Sequence, residues 1–251
     1  SLCGEGPGEG PRRRAFATTI HQENRMGALL IVLPVGALIG GLIYFGVQQQ
    51  KKRMLAMQAA AERLGWRFQP KPAFAVVPGL ERFGLFNEGH SRQTRNLLEG
   101  EKDGHRVAVF DYTYVVGAGK SQSVFRQTVV HVHAPGLALP GFVLRPEHIF
   151  HRIGEMFGYR DIDLEVDPDF SKRYLLRGQD EAAIRAAFDP MVREFYDRNP
   201  KSCTEGAGPD LLFWRSSKLV APDEIARLVE LVLTLSGRFR ESTGARPHGA
   251  A

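Results

Sequence analysis

Cysteine is nearly absent from this chain: only Cys3 and Cys203 occur in 251 residues. Two thiols so far apart build no disulfide framework, and neither has the paired spacing of a thiolate metal site. Basic clusters are as sparse. Arg12-Arg13-Arg14 and Lys51-Lys52-Arg53 stand alone within a scattered net charge of +5. No Lys/Arg stripe offers a duplex footprint, so nucleic acid is excluded as a partner. No Ser, Thr or Cys lies in a nucleophile elbow. A nucleotide phosphate loop is also incomplete. In "YVVGAGKSQS" the letters Gly119-Lys120-Ser121 end such a motif, but its first glycine would fall at Tyr114. Strand-like "SVFRQTVVHVH" follows where a helix N-terminus must face the phosphate. These glycines read as a hairpin loop, and no cofactor is expected.

The longest absence is of charge. No Asp, Glu, Lys or Arg occurs between Met26 and Gln50, and Gly27 to Gly46 reads "GALLIVLPVGALIGGLIYFG". At about 1.5 Å per residue this run spans roughly 30 Å, the thickness of a bilayer's hydrocarbon core. It predicts a transmembrane helix over 26–50. A signal sequence would have a shorter apolar run and an A-x-A-like cleavage site, which is missing. Residues 1–25 are Gly-rich without period and are expected to be disordered or non-native, with Met26 suited to be the initiator. Lys51, Lys52 and Arg53 would then mark the cytoplasmic membrane interface of a single-pass plasma-membrane protein. Each such cation near anionic lipid contributes on the order of 1 kcal/mol. Gly36 and Gly40 form the Gly-x-x-x-Gly spacing that lets two such helices pack closely as a homodimer. The helix is expected to continue over 51–65 and to stop at Gly65.

From residue 66 to residue 240 strand and helix signals alternate, which predicts an α+β domain with a mainly antiparallel sheet and flanking helices. "WRFQ" reads as a strand and "GLERFGLF" as a short helix. "TRNLLEGEKDGHRVAVFDYTYV" reads as a hairpin turning at Asp103-Gly104. "SVFRQTVVHVHA" and "GFVLR" are further strands, and Pro146 suits the first position of a helix. "RYLLRG", "DEAAIRAAF", a restart at Asp189-Pro190, a hairpin around Gly208-Pro209-Asp210 and a helix opened by Pro222 complete the domain. The two halves share an order of strand, helix, hairpin and Pro-opened helix, an imperfect internal pseudo-repeat. Residues 241–251 lack any period and read as a disordered tail.

His131 and His133 share one face of a strand, because side chains alternate with period two. His-x-His occurs in metal sites, but no third or fourth ligand has diagnostic spacing, so two half-exposed sheet histidines are the favoured reading. Asp161, Asp163, Glu165, Asp167 and Asp169 recur at alternate positions. Without the glycine and distal glutamate of a calcium loop, they read as a solvated sheet edge that discourages strand pairing.

Taken together, "GLERFGLFNEGHSRQTRNLLEG", "VAVFDYTY", "FRQTVV", "FVLRPE" and "FSKRYLLRGQDEAAIRAAF" resemble uncharacterised bacterial membrane proteins. Those have one N-terminal span and a soluble C-terminal domain of unknown function. The resemblance covers roughly Met26 to Phe239 and implies that architecture, with no activity or catalytic residue attached. The expected function is a non-catalytic, membrane-tethered cytoplasmic domain that binds an unidentified protein or small molecule. The alternative is a membrane-attached enzyme, metal-dependent through His131 and His133.

Overall fold

The computed structural model describes residues 12–72, 77, 79–147 and 161–244, with side chains described from residue 37 onward. The chain divides into two compact units, Ser1–Lys52 and Arg53–Ala251.

The first unit is helical. Helix α1 (Arg12–Leu64) begins inside the stretch expected to lack structure and ends in the second unit. The membrane span expected over 26–50 is corrected: among the described residues no helix is long and apolar enough to cross a membrane. Described side chains form an apolar run only over Ala37–Val47, before Gln48, Gln49 and Gln50. At about 1.5 Å per residue that is roughly 16 Å, about half of a hydrocarbon core. The first part of the expected span, including Gly36, lies outside the residues whose side chains are described.

The second unit is built on one eight-stranded sheet. Its strands are β1 (Arg67–Gln69), β2 (His90–Lys102), β3 (His105–Val116), β4 (Ser123–His133), β5 (Leu139–Pro146), β6 (Tyr174–Gly178), β7 (Ser202–Gly208) and β8 (Asp210–Arg215). They lie in the order β1-β2-β3-β4-β8-β7-β5-β6, and every neighbouring pair is antiparallel. The β2–β3 turn falls at Asp103-Gly104, both at positive φ (50° and 74°), the backbone that matches strand twist in a two-residue hairpin. Gly117 (φ 89°) opens the β3–β4 loop, where a Cβ would meet the Ser121 carbonyl oxygen at 2.6 Å. The phosphate-loop lookalike is this hairpin tip. The pseudo-repeat is not realised as two equivalent halves. Strand β5, from the first half, lies between β6 and β7 of the second.

Strand alternation sorts the core into two. Val107, Val109, Val130, Val132, Leu211 and Phe213 face the helices. Ala108, Phe110, Tyr112, Val129, Leu212 and Trp214 face the other way. The helical layer consists of the end of α1, through Met57, Ala60 and Ala61, with α2 (Pro168–Arg173), α3 (Glu181–Ala187), α4 (Pro190–Arg198) and α5 (Ile225–Ser242). Asp167, Asp180 and Asp189 cap α2, α3 and α4, each accepting a backbone N–H three residues on at 3.0, 3.0 and 2.8 Å. Each cap contributes about 1 kcal/mol. The opposite face is covered by the strap Gly79–Glu88. It forms two 3-10 turns (Leu80–Arg82 and Gly84–Asn87) where a helix was expected, with extended Phe83 interrupting them. Pro146 pairs with Tyr174 as the last residue of β5 and Glu147 directly after it is helical, while residues 148–160, where the expected helix would continue, lie outside the described ones. Of the acidic run, Asp161 bridges to Arg177 on edge strand β6, and Ile162 and Leu164 turn inward.

Arg53 fastens the end of α1 to the sheet. Its Nε and Nη2 donate to the two oxygens of Asp111 at 2.7 Å each, and Nη1 donates to the Val220 carbonyl at 3.0 Å. Asn96 and Thr128 also donate to Asp111, at 2.9 and 3.0 Å. The forked guanidinium matches both carboxylate oxygens, which a lysine cannot do. Truncation leaves Asp111 buried without its cation, and breaking such a pair costs about 3 kcal/mol. Arg53→Ala is therefore expected to lower unfolding stability by about 3 kcal/mol in urea titration. Arg53→Lys should recover only part of that loss.

Candidate functional site

Register across the strap-facing side brings charged residues of five strands into two rows. In the first, Glu101, Arg106, His133 and Asp210 are consecutive cross-strand partners on β2, β3, β4 and β8. In the second, Arg67 pairs with Glu99, Glu99 with Ala108, Ala108 with His131, and His131 with Leu212. Ala108 is the small residue in the middle. Over it lies a cleft of about 460 Å³ walled by these charged side chains and by Arg82 of the strap.

Asp210 is the cleft's organising group. It opens β8 directly after the Gly208-Pro209 turn and is buried. His131 Nε2 and His133 Nδ1 each lie 2.9 Å from its Oδ1, and Arg82 pairs with Oδ2. Burial alone would push the carboxyl up. The hydrogen bonds from His131 and His133, with the charge of Arg82, outweigh burial and hold it below the ordinary 3.8. Arg82 is fixed in turn by donating Nε to the Gly79 carbonyl at 3.0 Å. The Phe83 ring meets His131 edge-on, centroids 6.2 Å apart.

The structure thus brings together His131 and His133, which strand period had already placed on one face, and adds two residues that sequence reading missed. Asp210 was legible only as part of a turn; its register against His133 is a tertiary fact. Arg82 had no signal at all. Among the described residues no group of three His, Cys, Asp or Glu is placed to hold a metal ion. The carboxylate that would serve as a third ligand already accepts from both imidazoles, and the Arg82 charge beside it opposes a second cation. The other expected site residues lie elsewhere. Lys51 and Lys52 are exposed in the first unit, whereas Arg53 is taken by Asp111. A Cβ on Gly40 would meet nothing within 4 Å in this chain. Cys203 is fully buried, its thiol pushed up to about 12 chiefly by desolvation, so it is no nucleophile.

No known protein family matches the chain, and no curated protein matches it in sequence. Among solved structures it is similar to the crystal structure of the mycobacterial trehalose monomycolate transport factor A, TtfA. Identity is 15%, the match covers 79% of this chain and 98% of that one, and the TM-score is 0.50. At that identity the likeness is one of fold.

Asp210 contributes stability that is present above its ordinary 3.8 and is lost as pH falls through its depressed value. Asp210→Asn removes the charge that His131, His133 and Arg82 share. It is expected to cost about 2 kcal/mol at neutral pH and to flatten the acid limb of the stability profile, read by thermal unfolding between about pH 2 and about pH 7.

Proposed function

We propose that this chain is a non-catalytic binding domain whose ligand seat is the cleft over Ala108. The observation that carries the reading is the ordered mixture of charge around that cleft. Arg67, Arg82 and Arg106 alternate with Glu99, Glu101 and Asp210, and two imidazoles sit at its centre. Such a lining matches a small polar ligand with an anionic group for the arginines and hydroxyl or amine donors for the glutamates. Among the described residues the cleft's lining has no Ser, Thr, Cys or Lys to act as a nucleophile, and the Asp210–His131–His133 cluster is closed on itself by Arg82. The fold likeness to a transport factor supports a binding role over a catalytic one. The free, buried Cys203 fits a reducing compartment.

The test is a chemical-shift titration of the full chain, following the Ala108 amide and the two imidazoles. The probes are inorganic phosphate, succinate and trehalose, the last chosen from the neighbour's name. At least one probe is expected to give saturable shifts that Arg106→Ala weakens about tenfold or more. No shift with any probe, together with stoichiometric zinc that is lost in His131→Ala, would overturn the binding reading in favour of a metal-dependent enzyme.

A further inference from the structure

A second cluster of charge, deeper on the same face, has no part in the cleft. Arg145 of β5, Glu205 of β7 and Glu88 at the end of the strap are 4%, 2% and 3% exposed. Arg145 pairs through Nη1 with Glu88 and through Nη2 with Glu205, the latter at 2.9 Å. Its guanidinium also lies over the Trp214 ring, 5.2 Å from the centroid. Two carboxylates therefore share one cation where water is excluded, and an uncompensated buried charge costs several kcal/mol. Glu205 is well supplied as an anion. Besides Arg145, the backbone N–H groups of Gly84 and Leu85 donate to it at 2.6 and 3.0 Å. Among the described residues Glu88 is paired with Arg145, and the Tyr114 hydroxyl acts on it as a weaker donor.

We propose that Glu88, Arg145 and Glu205 form a proton-operated latch: a proton held on Glu88 keeps the strap Gly79–Glu88 against the sheet, and its loss releases the strap. Geometry ties the latch to the strap at two points. Glu88 is the strap's last residue, and Glu205 holds the Gly84 and Leu85 amides in its middle. The same strap carries Arg82, so its release also withdraws the cation that closes the cleft on Asp210.

The groups that face the latch do not compete for this proton. Tyr112 and Tyr114 of β3 and Cys203 of β7 are all pushed up, chiefly by burial, and stay neutral. Arg92 of β2 is permanently charged and donates to the carbonyls of Asn87, Glu88 and Gly89 at 2.8 to 3.0 Å. Burial raises the carboxyls of Glu88 and Glu205 above the ordinary 4.5, against the pull of Arg145. A raised acid binds its proton more tightly in the closed state than in the open one. The closed state is therefore fully favoured below 4.5 and loses that advantage as pH rises through the raised value.

Amide hydrogen exchange at Gly84 and Leu85 in the full chain, expressed as protection factors from about pH 5 to about pH 8, reads the latch directly. Protection is expected to fall about tenfold per pH unit above the ordinary carboxylate value and to level off once the latch has titrated. Glu88→Gln should make protection independent of pH, while Glu181→Gln, at an exposed residue of α3 paired with Arg185, should keep the slope. Flat protection in the native chain, or an unchanged slope in Glu88→Gln, would overturn the proposal. Should Glu88→Gln fail to fold, the native carboxyl carbon shifts decide. One carboxyl titrating above the ordinary range supports the latch, and two ordinary titrations refute it. The outcome is independent of whether the cleft binds any probe.

Discussion

In the central strands β3, β4 and β8 every residue must satisfy one of two different neighbours, and the rest of the unit follows from that. Odd positions of β3, such as Val107, Val109 and Asp111, meet the helical layer. Even positions, such as Ala108, Phe110 and Tyr112, meet the strap. A slip of one residue would send Val109 under the strap and Phe110 against the helices, exchanging two cores of different shape. The eleven consecutive pairs between β3 and β4 hold that register from Arg106–His133 to Val116–Ser123. Because register is so tightly held, polar residues can be placed on either face without ambiguity. Asp111 points to Arg53 on one side, and His131 points to Asp210 on the other.

Much of this was legible, and what was not has a physical cause. The Asp103-Gly104 hairpin could be read because a two-residue turn demands positive φ and few residues tolerate it. The Asp189-Pro190 restart could be read because a cap and a first-turn proline are local chemistry. Strand order could not: β5 lies between β7 and β6, a long-range choice that leaves no local trace. The strap was misread for a related reason. "GLERFGLF" has helical spacing, but beyond its two short 3-10 turns its hydrogen bonds go to Glu205 and Asp210, more than a hundred residues away. Arg53 shows the same limit. A basic triplet after an apolar run points to lipid headgroups, yet the third cation is drawn to Asp111, where burial multiplies its value. Surface charges in water contribute about 1 kcal/mol or less, and a partly buried bidentate pair contributes more.

The two polar clusters of the strap face show how environment divides like groups into different states. Asp210, Glu88 and Glu205 are all carboxylates with exposures of a few per cent or less. Desolvation acts on each in the same direction. What separates them is whether the neighbouring cation is shared. Asp210 has two imidazoles and a guanidinium to itself, and it stays ionised with its acidity enhanced. Glu88 and Glu205 divide a single guanidinium, and both are driven the other way. Carboxyls pushed apart in this manner perform different tasks on one surface. An ionised Asp210 holds the histidines and Arg82 in place as a fixed wall of the cleft. The Glu88–Glu205 pair carries an acid whose state depends on the solution. Since the strap Gly79–Glu88 is bonded to both, the fixed wall and the titrating pair are mechanically one assembly. A change of one proton beneath the strap is then felt where Arg82 meets Asp210.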